Sequence, residues 1–495
     1  MTATLQLLGF LAVFVTMALL MFFRKLPALI ALPVMAVLVA LLGGVSGRDL
    51  LHHVVGDGAV RLHTAYTVAI FGGMLSFLLQ KSGVAEHLIK NGAELAGDRP
   101  WSVGLIMLLL IAMLFTTLGG LGAIIMVATI VLPIMASVGF SSLTTAGLFL
   151  IGINLGGILN AGNWALYIDV LKLDIPTIRS FALVLFAICL LMALVFLTLE
   201  LRREGQKLPL KKLAGYGLLA ALAAALLLFG YQHAAGASAF RSVLHALGTG
   251  LKYALLLLAG LVAVRILFDL ARKLTGRERH LSRIVWYAYL TPVVPLLLIL
   301  IFRISFVTAF ISGLIYGFVV TWRKGSINML SQAIIEGGAS VMPAVVLMMG
   351  IGMLLNAIIG PGNEWSALHQ GAEWPVLAFL KPVMIRIIPS SPWLYLLVFT
   401  VLAPLSLYRG PLNVWGMGYG MAAIMLASGA LPAAAIMGML ISVGQIQGIC
   451  DPTNTQNVWI ANELHLDVQQ ILWRTLPYVW VVSALGLAAS ALLFF

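Results

Sequence analysis

Two stretches decide the fold of this chain: LTTAGLFLIGINLGGILN at residues 143–160 and AAIMGMLISVGQIQGICD at residues 434–451. At a constant offset of 291 positions (451 minus 160), the matched positions are Gly147 with Gly438, Gly157 with Gly448, and Asn160 with Asp451. Glycine and alanine recur by chance in any apolar chain, so the shared order and register carry the evidence. The sequence therefore predicts an internal repeat.

The repeat extends upstream of these stretches. A smaller offset of 280 positions (338 minus 58) pairs Gly58 with Gly338 and Gly72 with Gly352. We expect a first copy over residues 1–200, linker spans and basic loops over residues 201–284, and a second copy over residues 285–495.

The composition excludes a water-soluble protein. Of the 495 residues, 62% are hydrophobic and 9% are charged, whereas soluble domains average about 45–50% apolar and about 25% charged residues. Stretches of roughly 18–20 apolar residues, the length that spans a bilayer, recur from end to end. Residues 5–23 are interpreted as the first span, since they lack the basic region and cleavage motif of a signal peptide. The sequence predicts an all-α polytopic protein of the lipid bilayer.

The net charge of +12 arises from basic residues in short connections between spans. Such clusters mark the cytoplasmic side of a membrane protein, so they do not require a nucleic-acid partner. The strongest clusters are Arg202, Arg203, Lys207, Lys211 and Lys212, followed by Arg272, Lys273, Arg277, Arg279 and Arg283. Counting spans from these loops places both termini outside and starts the two copies on opposite sides. The repeats are therefore predicted to have inverted topology, which is typical of secondary transporters.

Each copy contains two short apolar arms around a polar turn, at residues 101–140 and 392–429. Non-helical backbone at membrane depth is tolerated only where protein buries it or where it lines a cavity. We therefore predict two re-entrant hairpins whose tips face the transport site. The segments that follow, residues 143–168 and 431–461, are predicted to be transmembrane helices broken by polar residues.

The hairpin tips and the helix breaks supply the predicted site. Half-helix N-termini attract anions, and exposed carbonyl and carboxamide oxygens suit a small cation. The predicted substrate-binding residues are Arg409, Thr116, Thr117, Gly119, Asn160, Asn163, Ser406, Asn413, Thr453 and Asn454. The predicted ion-coupling residues are Asp451, Asn160, Asn454 and Thr455.

Arg409 and Asp451 are the charged members of this set. Because an intramembrane charge is costly unless it is used or paired, Arg409 is predicted to bind a carboxylate, phosphate or sulfonate. The alternative is that its hairpin reaches the outer surface and Arg409 lies in water. Asp451 is predicted to bind Na⁺ or to carry a proton, and its alternatives are a helix cap and a static ion pair with Arg409. The threonine and asparagine side chains have the alternative role of satisfying backbone groups.

No cofactor is predicted, and Na⁺ or H⁺ is the only ion expected. The adjacent His52 and His53 are not interpreted as metal ligands, because neighbouring side chains diverge on a helix and no third ligand completes a site. The GGLG stretch at residues 119–122 lacks the Lys-Ser/Thr of a phosphate-binding loop. Asp169 is interpreted as a helix cap. An enzyme is not expected, since the predicted membrane core contains no paired acid-base constellation.

Four motifs, placed in this architecture, resemble the ion transporter superfamily: TTLGGLGAIIM, GINLGGILNAGN, LYRGPLN and CDPTNTQN. That superfamily includes gluconate permeases, citrate–metal symporters, C4-dicarboxylate carriers and divalent anion:sodium symporters. The resemblance implies an elevator-type carrier, usually a homodimer. The divalent anion:sodium subgroup has Ser-Asn-Thr at both tips, whereas this chain has Thr116-Thr117 at one tip and Tyr408-Arg409 with Asn413 at the other. The choice between Na⁺ and H⁺ therefore stays open.

We expect a secondary active transporter of the cytoplasmic (inner) membrane that moves a small organic anion of the carboxylate type by alternating access. The alternative within transport is a Na⁺/H⁺-type antiporter, in which Asp451 exchanges cations and Arg409 is its structural partner. A channel or a membrane-embedded enzyme is the third class considered.

Overall fold

The computed structural model describes residues 3–23, 25–206, 238–274, 284–323 and 325–495. These residues form helices joined by short connections, and no strand occurs among them. In this part of the chain, seven helices are long and apolar enough to cross a membrane, or eight if the bent pair around residue 160 is one span. The prediction of an all-helical membrane protein is confirmed.

Nine α-helices longer than five residues precede the linker in the described residues. They are α1 (Ala3–Phe22), α2 (Ala28–Leu42), α3 (His63–Ser82), α4 (Val84–Ala96), α5 (Pro100–Phe115), α6 (Leu121–Ser137), α7 (Ser142–Ile158), α8 (Ala161–Leu171) and α9 (Ile175–Arg203). A helical segment at residues 47–60 leads into α3, and its central part, Leu50–Asp57, is a π-helix.

Eleven such helices follow in the rest of the described chain. They are α10 (Ser238–Leu274), α11 (Val294–Leu300), α12 (Phe306–Val320), α13 (Ser326–Ile359), α14 (Asn363–Leu368), α15 (Pro375–Ile387), α16 (Pro392–Leu402), α17 (Tyr419–Ser428), α18 (Ala433–Cys450), α19 (Thr455–Glu463) and α20 (Val468–Phe494). A 3₁₀-helix, Trp286–Leu290, precedes α11. Between α16 and α17 the chain forms a 3₁₀-helix, Ala403–Arg409, and a π-helix, Val414–Gly418.

The helical elements keep the register of the sequence repeat. Helices α4 and α15 are both 13 residues long, and their first residues, Val84 and Pro375, are 291 positions apart. Each is followed by two helices around a polar turn, α5 and α6 or α16 and α17, and then by a helix that is interrupted before its end. A last helix of 29 residues (α9) or 27 residues (α20) closes each series.

The two halves meet where α3 crosses α13 with backbone against backbone. A Cβ atom on Gly337 would lie 2.6 Å from the carbonyl oxygen of Gly73, so glycine is required at this crossing. At a second contact, a Cβ atom on Gly58 would lie 2.7 Å from the Cα atom of Met353. Small residues allow helices to approach closely in a bilayer, where burial from water cannot drive their association.

Helices α7, α9, α18 and α20 pack together in the interior. Both cysteines lie there as buried free thiols, Cys189 in α9 and Cys450 in α18. The Sγ atom of Cys450 is 3.2 Å from the hydroxyl oxygen of Thr475 in α20.

A buried carboxylate connects α9 to α20. Glu200 is fully buried, and its two oxygens lie 2.7 Å from the guanidinium of Arg203 and 2.6 Å from that of Arg474. The Tyr478 hydroxyl donates a hydrogen bond of 2.9 Å to the same carboxylate. Glu200 therefore makes one ion pair and one hydrogen bond with α20, which is distant in sequence.

Residues 207–237 and 275–283 of the predicted linker lie outside the described residues. Its basic residues there are Lys207, Lys211, Lys212, Arg277, Arg279 and Arg283.

Candidate functional site

The candidate site forms at two helix breaks. Helix α7 ends at Ile158 and α8 begins at Ala161, with a bend of 51° between their axes. Helix α18 ends at Cys450 and α19 begins at Thr455, so residues 451–454 are not helical. Asn160 and Asp451, which the sequence repeat pairs, stand at these two breaks.

At the first break, the Asn160 side chain joins the two helix pieces to the preceding helical arm. Its Oδ1 atom accepts a hydrogen bond of 2.8 Å from the Gly162 amide and so caps α8. Its Nδ2 atom donates to the carbonyl oxygens of Phe115 at 2.9 Å and Leu118 at 3.2 Å, where α5 ends. An amide side chain suits this place because it supplies an acceptor and donors at once.

At the second break, the carboxylate of Asp451 is fully buried and accepts four hydrogen bonds. Its Oδ1 atom accepts from the Tyr408 amide at 3.0 Å, the Thr453 amide at 2.9 Å and the Thr453 hydroxyl at 2.7 Å. Its Oδ2 atom accepts from Asn413 Nδ2 at 3.0 Å. Two of these donors belong to the turn between α16 and α17, so Asp451 holds that turn against the break.

The two breaks therefore make equivalent contacts with opposite polarity. Asn160 donates to backbone carbonyls of its turn, whereas Asp451 accepts from donors of its turn. A second pair is equivalent without reversal: Asn163 Nδ2 donates to the Gly157 carbonyl at 2.8 Å, and Asn454 Nδ2 donates to the Gln447 carbonyl at 3.0 Å. Asn163 and Asn454 satisfy carbonyls that the broken helices leave free, which is their alternative role.

The turn that carries Arg409 has an unusual backbone. Tyr408 and Arg409 are consecutive non-glycine residues with positive φ, 54° and 61°. Such residues persist only where surrounding contacts hold them, and they cluster at functional sites. Here Asp451 holds the Tyr408 amide, and Gln469 of α20 lies within 3.0 Å of the Tyr408 hydroxyl.

The Arg409 guanidinium is half-buried and donates to the Trp415 carbonyl at 3.3 Å. Among the described residues it forms no ion pair within 4.0 Å, so the static pair with Asp451 is not formed. Guanidinium carries five N–H donors, and one bond to a carbonyl leaves most of them available for a ligand.

The remaining predicted residues occupy several environments. Thr116 and Thr117 are buried, but their hydroxyls donate to Met113 and Leu114 of their own helix, at 2.7 and 3.3 Å. Gly119 lies in the turn between α5 and α6, where a Cβ atom would meet nothing within 4 Å. The Ser406 hydroxyl is bonded to Ala403 at 2.8 Å, and the Thr455 side chain is exposed.

Two buried amide oxygens beside Asp451 lack a hydrogen-bond partner within the described residues: Asn413 Oδ1 and Asn457 Oδ1. The nitrogen of each amide bonds towards the break. Asn413 Nδ2 donates to Ser406 O and Asp451 Oδ2, and Asn457 Nδ2 donates to Asp451 O at 3.0 Å. Since these nitrogens face acceptors, the network fixes which amide atom is the oxygen. Buried amide oxygens without a donor are suitable ligands for a cation.

Sequence reasoning missed Asn457 and Gln447. The Gln447 side chain accepts from the Val414 amide at 2.7 Å, which adds another bond between α18 and the turn of Arg409. The sequence signal for Asn457 was available, since it lies in the polar run CDPTNTQN after the break.

Sequence reasoning also missed the guanidinium of Arg61, which bonds to the Asn356 side chain and to the Gly360 carbonyl at the end of α13. Asp169 of α8 accepts from the Ala65 amide at 3.3 Å, in the first turn of α3. It therefore caps a helix other than its own.

The interpretation of the adjacent histidines needs a correction. A third group does join them: the ligand atoms of His52, His53 and Asp57 lie within 4.8 Å of one another. The reason is the π-helix Leu50–Asp57, which has more residues per turn than an α-helix. Consecutive side chains then diverge less, and Asp57 lies one turn from His53.

The two broken helices are in direct contact. The side chain of Asn154 in α7 lies against Gly448 of α18, where there is no room for a Cβ atom. Gly448 lies two residues before the end of α18 and Asn154 lies four residues before the end of α7, so the two breaks belong to one interior region.

Neither a protein-family model nor a curated protein matches this chain.

Proposed function

We propose that this protein is a secondary active transporter that moves a small carboxylate-type organic anion across the cytoplasmic membrane, coupled to Na⁺ or H⁺. The observation that carries the proposal is the equivalent contact at the two helix breaks. In both, the side chain at the break holds the turn between two short helices, and only the second carries a charge. An ionisable residue buried at a helix break of a membrane protein is a candidate functional residue.

The contacts between the two halves support inverted repeats. Gly58 packs against Gly352, which is repeat position 72 (352 minus 280). Gly73 packs against Gly337, which is repeat position 57 (337 minus 280). To within one residue, both contacts join the same two repeat positions. In the first contact the first half contributes the earlier position, and in the second contact it contributes the later one, as a two-fold axis between the halves requires. Such halves exchange conformations around a central site in secondary transporters.

The turn between α16 and α17 supports an anionic substrate. Arg409 is half-buried there with donors to spare, and no carboxylate of the described residues pairs with it. A guanidinium forms bidentate bonds with a carboxylate, which would supply the missing counter-charge. We assign Arg409 the role of anion anchor.

The surroundings of Asp451 support its role in coupling. Its carboxylate accepts four hydrogen bonds, and a proton added to it would occupy one of the acceptor sites. Protonation would therefore loosen the turn of Arg409 from the break. Na⁺ has a competing basis, since Asn413 Oδ1 and Asn457 Oδ1 are buried, have no donor among the described residues and offer neutral ligands near the break. Either ion would change how firmly Asp451 holds the substrate-binding turn.

The proposal includes membership of the ion transporter superfamily, which the four motifs resemble. That resemblance implies a homodimer and an elevator-like movement. The competing function is a Na⁺/H⁺-type antiporter, which is favoured by the burial of Asp451 with no ion pair within 4.0 Å among the described residues. In that case Arg409 would serve structure alone.

Thermal unfolding of the purified protein in detergent tests the proposal. Carboxylates, sugar acids, phosphates and sulfonates are added one by one, with and without Na⁺, at two pH values. A ligand at 100 times its Kd stabilises the native state by about 2.7 kcal/mol, so a carboxylate substrate raises the Tm. We expect Arg409→Lys to reduce this rise and Arg409→Ala to abolish it.

The matched control is Arg386→Ala, which removes an exposed arginine and keeps the response. If Na⁺ strengthens the response, coupling is to sodium; if low pH does, it is to protons. A rise with Na⁺ or pH alone, and with no anion, would reject the anion transporter in favour of the antiporter.

A further inference from the structure

The side chains of His52, His53 and Asp57 form a compact cluster that the transport site does not use. Nδ1 of His52 lies 3.3 Å from Nδ1 of His53 and 3.5 Å from Oδ2 of Asp57. Nδ1 of His53 lies 2.7 Å from the same carboxylate oxygen. We propose that these three atoms bind a divalent transition-metal ion of the Zn²⁺ type.

The spacing of the three atoms fits a tetrahedral ion. With bonds of about 2.0–2.1 Å to zinc, neighbouring ligand atoms lie about 3.3–3.4 Å apart. The two distances from His52 Nδ1 match this spacing. The His53–Asp57 distance would lengthen by about 0.6 Å when the ion replaces their hydrogen bond.

Among the described residues, the third member, His52, makes only the longer contacts of 3.3 and 3.5 Å. His53 and Asp57 satisfy each other as a pair, but His52 turns its Nδ1 towards both although its side chain is 71% exposed. Once the Nδ1 atoms of both rings are free of protons, three atoms with lone pairs converge on one point, and metal binding releases such protons. Two imidazoles with one carboxylate favour zinc and neighbouring transition metals over Ca²⁺ or Mg²⁺, which prefer oxygen ligands alone.

The length of the helical segment that carries the cluster leaves room for the cluster to lie outside the bilayer. The apolar segment Gly47–Ser82 has 36 residues, and about 20 suffice to cross a bilayer. If the span ends at Ser82, residues 47–62 project from the bilayer on the side opposite to Lys81. Open coordination positions would there be filled by water.

The backbone under the cluster is held in place by the second half of the chain. The His53 carbonyl accepts a hydrogen bond of 2.7 Å from Asn356 of α13, whose side chain also binds Arg61. The close contact of Gly58 with Met353 fixes the other end of the π-helix. A metal ion would therefore stabilise the contact between the two halves, independently of the proposed transport.

Metal binding to the chelator-treated, tag-free protein tests this site. Titration with Zn²⁺ in a calorimeter, and with Co²⁺ followed by its visible absorption, is expected to give one ion per chain. We expect His52→Ala to weaken Zn²⁺ binding at least about 10-fold, since even outer-shell changes cost 10- to 100-fold. Asp57→Asn should weaken it similarly. Zn²⁺ should raise the Tm of the unaltered chain, and Ca²⁺ should not.

His52→Ala is the decisive variant, because its exposed side chain contributes little packing and its loss leaves the His53–Asp57 pair intact. His87→Ala, which removes an exposed histidine of α4, is the matched control and should bind Zn²⁺ as the unaltered chain does. Unchanged affinity in His52→Ala, or an equal loss in His87→Ala, would overturn the proposal. Each variant's Tm without metal shows that it is folded.

Discussion

Positions 160 and 451 occupy the same place in the two halves but require opposite hydrogen-bonding groups. Asn160 must donate to two carbonyl oxygens, and Asp451 must accept from four donors. The amide and the carboxylate have nearly the same shape. Exchanging them therefore changes polarity with little change in packing.

We predict that Asp451→Asn and Asn160→Asp both destabilise the protein. Asp451→Asn turns a donor towards the Asn413 amide and should cost about 1–3 kcal/mol, the usual penalty for an unsatisfied buried group. Asn160→Asp should cost at least as much, because it faces a charge towards carbonyl oxygens. Lowering the pH should restore part of the stability of Asn160→Asp, since the protonated carboxyl group can donate.

Thermal unfolding in detergent at pH 5 and pH 8 measures both changes. Asn462→Asp, at an exposed position, is the control and should alter the Tm little. An unchanged Tm in Asn160→Asp would show that the contact with the turn after α5 does not hold the break.

For individual residues, the sequence predicted which positions carry polar groups at the site, but it did not predict their hydrogen-bond partners. Thr116 and Thr117 were predicted either to bind the substrate or to bond to backbone groups. Their hydroxyls donate to the carbonyl oxygens of Met113 and Leu114, which is the second of these roles. Side-chain bonds depend on local rotamers, which a repeat in the sequence does not specify.

Among the elements, α9 and α20 depend on one buried carboxylate. Glu200 receives two guanidinium groups and a hydroxyl, and two of these three groups come from α20. Its removal leaves Arg203 and Arg474 without their partner, although both arginines are partly exposed to solvent.

We predict that Glu200→Gln lowers the free energy of unfolding by about 1–3 kcal/mol, below the range for fully buried pairs because the arginines are partly solvated. Denaturation in detergent followed by tryptophan fluorescence measures this loss. Glu94→Gln removes an exposed carboxylate of α4 and should have no comparable effect. Equal stability of the two variants would show that the network contributes nothing measurable.

The π-helix Leu50–Asp57 shows why an element can escape sequence analysis. Hydrophobic periodicity distinguishes helix from strand, but an eight-residue π-helix within a longer helical segment leaves no separate pattern. The helical class was therefore predictable from the residues, whereas the convergence of His52, His53 and Asp57 was not.

For the whole molecule, the crossing of α3 and α13 determines how closely the halves pack. Gly337 and Gly338 are neighbours on one helix, yet only Gly337 faces the backbone of α3. A Cβ atom on Gly338 would meet nothing within 4 Å.

We predict that Gly337→Ala destabilises the protein by about 1–3 kcal/mol, the usual cost of overpacking a close contact. Gly338→Ala, its matched control, should be neutral or stabilising by up to about 1 kcal/mol, because alanine favours the helix. The difference in Tm between the two variants measures the contact. If both behave alike, the halves are not held together at this crossing.

The two buried thiols have a practical consequence for labelling experiments. Cys189 and Cys450 are 6% and 1% exposed, so a membrane-impermeant maleimide should leave the folded chain unmodified. In a variant with Ser46→Cys or Asp98→Cys, the introduced cysteine would then be the thiol that reacts with the maleimide. The count from the basic loops predicts that these two positions lie on opposite sides of the membrane. Reaction at position 46 only, in intact cells, would establish this orientation without removing the chain's own cysteines.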